Sequence, residues 1–233
     1  MKKGAEAATA ADALEKTGIA KAVIIMEEQF YYDHKNGLEL INSILEKHGR
    51  FRGLIPMVPG CTGEIGHPDK FVAERFSETT AGLLLCPDAF RIPKRPVFLA
   101  DWFETAVRRR IPVWYRAEND SGFEYIADIL ASYPQLIVVL SFADRWPNNR
   151  KVYPLLNIYA GVHVCLSDLI WMGAVEDVVA KFGSGRLLFC TDYPKKYMEA
   201  AVTMLSQADI CLEDKHNIAG RNLENLSGGM LID

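Results

Sequence analysis

Short apolar runs alternate with longer amphipathic segments along the chain. The runs cover residues 22–26, 53–58, 82–86, 112–115, 136–140, 162–166 and 187–190. Each is too short for a helix, and several are rich in Val and Ile, as strands buried on both faces are. The segments between them carry a helical period. Val175, Val178, Val179 and Phe182 fall at i, i+3, i+4 and i+7, and Met198, Ala201, Val202 and Leu205 repeat that spacing. Leu38, Ile41 and Leu45 follow it more loosely, as do Phe123, Ile126, Ala127 and Leu130. Gly49 follows one such segment and Pro134 ends another, while Pro68 and Pro96 are placed to open helices. Residues 5–17 read as a helix that precedes the first strand and stops at Gly18.

Strand starts recur near residues 21, 53, 81, 112, 136, 162 and 186, which is a βα period. Such units build either a doubly wound sheet or a closed barrel. Glu27, Glu28, Gln29 and Phe30 follow the first run, so no Gly-rich turn is there to cradle a phosphate. The expected fold is therefore α/β, a TIM barrel of the (β/α)8 type with seven recognisable strands and its first strand missing. No linker or charge block divides the chain, so residues 1–233 read as a single domain. A missing strand leaves two edges that need a cover. The N-terminal segment, a loop or a second subunit could supply it, and the last of these points to a homodimer.

Composition narrows the function classes. Hydrophobic residues make up 49% and charged residues 24%, as in a folded globule rather than a disordered chain. The net charge of −4 gives no field for nucleic acid or an anionic membrane. The basic clusters Arg108 to Arg110 and Lys195–Lys196 are short and read as a helix C-terminal turn or a solvated face. No apolar run approaches a membrane span. Glu6, Asp12 and Glu15 interrupt any signal-peptide core, so a cytoplasmic location is expected. The five cysteines form no C-x-x-C pair, and Cys86, Cys165 and Cys190 lie in apolar runs as small core residues.

In a barrel of this type the reactive groups stand at the C-terminal ends of the strands. Those ends carry Glu27 and Glu28, then Asp88 and Arg91, then Arg116 and Glu118 beside Tyr115. Ser141, Asp144 and Arg145 follow, then Ser167 and Asp168, and finally Asp192 with Tyr193.

Residues 182–194, from Phe182-Gly183 through Arg186-Leu187-Leu188-Phe189 to Thr191-Asp192-Tyr193-Pro194, resemble the last-strand motif of the amidohydrolase superfamily, "fGaeRlLfGTDyP". Residues 201–226 resemble that family's C-terminal helices, and residues 18–23 look like its "GIdkAvv" lead into the second barrel strand. The similar branch is the one that holds decarboxylases and lactonases. By this resemblance Asp192 matches the aspartate that ends the final strand, where it binds metal or shuttles a proton. The family's remaining metal ligands have no counterpart. The chain contains no H-x-H, Arg116 stands at the fifth-strand histidine position, and Ser141-Phe142 stand at the sixth. His34, His48, His67, His163 and His216 all lie elsewhere, so neither a metal nor another cofactor is expected. A start codon upstream of Met1 would account for the missing strand but not for these substitutions.

Loss of the metal limits the chemistry. Zinc lowers the pKa of bound water from about 15.7 to about 7, at most on the order of 12 kcal/mol of activation. A lone general base supplies about 3–5 kcal/mol. Amide or phosphoester hydrolysis would be hard, whereas an activated ester or lactone, with a better leaving group, stays within reach. The sequence thus points to a metal-independent hydrolase for a small carboxylated substrate. Asp192 is its base and Arg116 its fixed positive charge. Arg91, Tyr115, Glu118, Ser141, Asp144, Arg145 and Tyr193 are candidates for binding the substrate. Arg116 has a second reading, as an ion-pair partner of Glu118, Asp144 or Asp192. The missing ligands also fit a different class, a non-catalytic barrel that binds a small anion or a partner protein.

Overall fold

A computed structural model of the chain describes residues 3–25, 34–77, 79–117, 119–142 and 149–231. One sheet of seven parallel strands runs in sequence order. The strands are β1 (Ala22–Ile24), β2 (Phe51–Pro56), β3 (Thr80–Leu85), β4 (Val113–Ala117), β5 (Val138–Phe142), β6 (Val162–Cys165) and β7 (Leu187–Leu188). Each falls within two residues of its apolar run. The helices ahead of and among them are α1 (Lys3–Thr17), α2 (His34–Lys47), α3 (Pro68–Arg75), α4 (Ala100–Arg109), α5 (Asp120–Ser132), α6 (Asn149–Ile158) and α7 (Ala174–Phe182). After β7 come α8 (Met198–Gln207), α9 (Leu212–His216), a π-turn at Asn217–Arg221 and α10 (Asn222–Gly228). Pro68 opens α3, and Pro96 opens a 3-10 turn that runs into α4. No described helix is long and apolar enough to cross a membrane.

Strand residues alternate between two cores, because successive side chains point to opposite faces of a sheet. Ile55, Leu83, Leu85, Val113, Tyr115, Leu140, Val164 and Leu187 pack outward against the helices. Leu54, Ala81 and Leu84 line the inner face, as do Val139, Cys165 and Leu188 further along. Trp114 touches both inner clusters, so the sheet curls around it. This is an open TIM-type barrel. Parallel strands approach most closely where a side chain is missing. A Cβ on Gly82 would lie 2.4 Å from the Pro112 carbonyl oxygen, and Gly82 has φ 149°.

Among the described residues β7 does not pair with β1, which leaves the gap expected from seven strands. The helices flanking the gap close it from outside. Leu14 of α1 and Met198 of α8 share a core with Ile19, Ala22, Ile24 and Phe51. Among the described residues, the N-terminal segment packs over the gap. From below, α10 reaches both β3 and β7, with Leu223 and Leu226 against the inner core. Its place at the N-terminal ends of the strands is marked by the exposed Lys21–Glu224 pair (3.9 Å), and the chain just after it is held by the Leu231 N–H bond to the Arg109 carbonyl (2.8 Å). Asn222 spends both amide hydrogens on the Ser184 and Leu187 carbonyls, each at 2.8 Å, and so ties α10 to β7.

Candidate active site

The strand period decides which candidates reach the inner face. On β4, Trp114 and Arg116 point inward, whereas Tyr115 points outward. Tyr115 is 4% exposed, stacks edge-on against Tyr125 and donates its hydroxyl to the Gly122 carbonyl at 3.1 Å. It therefore sits in the helix-facing core, away from Arg116. Ser141 is the register partner of Arg116 on β5 and shares its face. The Ser141 hydroxyl has no partner among the described residues.

Arg116 and Asp192 meet across the mouth of the barrel. The Arg116 Nη1 donates to Asp192 Oδ1 at 3.2 Å. Asp192 lies on the turn that leaves β7, with φ 53°, in the left-handed region that Asp tolerates better than most residues. Its backbone carbonyl accepts the Lys196 N–H at 3.1 Å, so that turn carries Lys196 back over the site. The Lys196 Nζ donates to the Ser167 carbonyl (2.8 Å) and to Asp168 Oδ1 (3.0 Å), and lies 3.8 Å from Asp192 Oδ2. Asp168 Oδ2 accepts the Phe142 backbone N–H at 3.0 Å. The Asp168 carboxyl is 2% exposed. Burial raises its pKa, against the opposing pull of Lys196, the Phe142 N–H and Arg116.

The result is a row of alternating charges, Asp168, Lys196, Asp192 and Arg116, across the C-terminal ends of β4 to β7. The sequence reads Lys196 as part of a helix C-terminal turn or a solvated face. The sign that it belongs here is its spacing of four from Asp192, which one helical turn brings onto the same side. Asp168 was visible as a strand-end carboxylate. Two buried N–H donors on the inner face of β4, the Arg116 Nε and the Trp114 Nε1, have no acceptor among the described residues.

The other candidates are spread wider. Arg91, with φ 54°, lines a separate cleft of about 220 Å³ with Val58, Glu64, Phe90 and Phe98. Tyr193 is 38% exposed, just past Asp192. Glu118, Asp144 and Arg145, like Glu27 and Glu28, lie outside the described residues. A cleft of about 570 Å³ runs between residues 169–176 and α8, apart from the charged row. His163 points inward at the opposite end of the barrel, where its Nδ1 bonds the Gly185 carbonyl at 2.9 Å. A carbonyl only accepts, so Nδ1 carries the hydrogen, and burial holds the ring pKa down at about 4. Among the described residues no three His, Cys, Asp or Glu side chains gather as a metal cluster.

No family model and no curated protein matches the sequence. In structure the chain is similar to an uncharacterised TIM-barrel protein from Bordetella bronchiseptica, with TM-score 0.72 and 16% identity over 94% of this chain and 82% of that one. It is also similar to a dihydroxybenzoic acid decarboxylase from Polaromonas with bound manganese, with TM-score 0.68 and 14% identity over 94% and 85% of the two chains. An inferred amidohydrolase from Staphylococcus aureus gives TM-score 0.67 and 14% identity over 96% and 92%. At these identities the likeness is one of fold, a TIM-type barrel.

Proposed function

We propose that this chain is an amidohydrolase-like enzyme that opens a small carboxylated lactone or activated ester without a divalent metal. Asp192 is the general base and Arg116 holds the substrate carboxylate. The supporting observation is the Arg116 Nε, buried and without an acceptor among the described residues, beside the Asp192 carboxylate. An unpaired buried donor costs about 1–3 kcal/mol, which a ligand oxygen recovers. In the reaction, Asp192 takes a proton from water as the oxygen attacks the acyl carbon. The Ser141 hydroxyl donates to the resulting oxyanion. Collapse expels the alkoxide, which takes the proton back from Asp192.

The manganese of the Polaromonas decarboxylase does not fit these residues. Among the described residues the groups that pair with Asp192 are a guanidinium and an ammonium, which donate hydrogen bonds and repel a cation. The reaction is accordingly one that a lone base can drive.

The test is hydrolysis of a panel of carboxylated lactones and aryl esters, with and without chelator. Turnover should survive chelation, and Asp192→Asn should lower kcat by about 10²–10⁴-fold. Activity that returns only with manganese or zinc would overturn the proposal. The decarboxylase neighbour favours a second reading, in which the same Arg116 clamp presents an aromatic acid for loss of CO2. Release of CO2 without ester cleavage would select it. Carboxylate binding without turnover, unchanged in Asp192→Ala, would select a non-catalytic binding barrel.

A further inference from the structure

Two carboxylates and two cations make up the charged row, and their arrangement does more than bind substrate. Asp168 and Asp192 lie in the turns that follow the adjacent strands β6 and β7, and two carboxylates so placed repel each other unless cations lie between them. Lys196 lies between them, 3.0 Å from one and 3.8 Å from the other, and Arg116 closes on Asp192 from the far side at 3.2 Å. The row sums to zero formal charge. Lys196 is further fixed by the Ser167 carbonyl and by the backbone turn from Asp192. A long, flexible side chain held at three points is a built feature, unlike a surface ion pair.

We propose that Lys196 and Arg116 form a tethered dication, which neutralises Asp168 and Asp192 in place of a divalent metal and keeps metal out. Lys196 is a positioning residue in this scheme: it touches the carboxylates rather than the substrate. The inference rests on the metal-free part of the reading above, but not on any particular substrate.

The groups that face Asp168 set the expected pH response. They are Lys196 and Asp192 from the turn after β7, Arg116 from β4, and the thiol of Cys165 from β6 with its contact Cys190. A buried carboxyl with a raised pKa contributes stability at low pH that is lost as pH rises through that pKa. Removing Lys196 raises it further, so the loss should be greatest near neutral pH and should shrink on acidification.

Thermal unfolding of the full chain tests this without measuring turnover. Lys196→Met should lower the midpoint by about 5–10 °C near neutral pH. The gap to wild type should narrow in acid, and Lys196→Arg should keep the wild-type profile. Millimolar MnCl2 should raise the midpoint of Lys196→Met and leave wild type unmoved. A Lys196→Met variant that matches wild type at every pH, or a wild-type midpoint raised equally by MnCl2, would overturn the proposal. Should Lys196→Met not fold, Asp168→Asn combined with Lys196→Met removes both charges and should fold; failure of that pair as well would mean that the lysine acts by packing alone. Absence of any lactone or ester turnover would sink the hydrolase reading and leave this result standing.

Discussion

Asp192 occupies a backbone conformation that few side chains accept, and this decides how its role is tested. Asn tolerates the left-handed region about as well as Asp, whereas Ala adds about 1–2 kcal/mol of strain there. Asp192→Asn therefore keeps the turn and removes only the charge, so its loss of kcat reads chemistry rather than folding. The same scale explains which site residues were legible. Arg116 and Ser141 follow from counting inward from a strand end, and the same count places Tyr115 outward. Lys196 was hidden because its partner Asp168 is far off in sequence, and only the closing of the sheet brings the two together. His163 gives a separate prediction. Its folded pKa, about 4, lies below the ordinary 6.5. Its contribution to stability is full above pH 6.5 and is lost as pH falls toward about 4. The loss is at most about 3 kcal/mol, and less because the ring is partly exposed. Chemical denaturation should show that decline, and His163→Asn, which keeps a donor toward Gly185, should flatten it.

At the level of elements, the strands were legible because burial on both faces writes them as continuous apolar runs. The two shortest, β1 and β7, border the gap, where a neighbour is missing on one side. Gly82 shows how tightly the others are set. Its Cβ-free face lies against the Pro112 carbonyl where β3 pairs with β4. Gly82→Ala should cost at least about 3 kcal/mol in equilibrium unfolding, since backbone rather than a flexible side chain must move. Arg186, part of the tail motif, earns its place structurally. Its Nε donates to the Val162 carbonyl at 2.7 Å, and its Nη2 donates to Leu156 (3.1 Å) and Tyr159 (2.6 Å). It thereby pins the α6–β6 connection to the start of β7. A sequence motif can thus carry residues whose work is to hold the strand in place.

For the whole molecule, the period of the chain foretold seven strands and an open barrel, but not what seals it. The seal joins residues almost two hundred positions apart, Leu14 to Met198, and no local pattern encodes such a meeting. Leu14→Ala should accordingly destabilise the fold by about 2–4 kcal/mol, as a core truncation does, although it sits in a leading helix. A wild-type midpoint in Leu14→Ala would show the gap to be sealed some other way. The crossing of α10 beneath the bore has a consequence for biosynthesis. On the ribosome the sheet emerges strand by strand, yet its inner face stays wet until residues 223 and 226 leave the exit tunnel. Until α10 docks, the nascent sheet is thus a bowl whose apolar lining faces water.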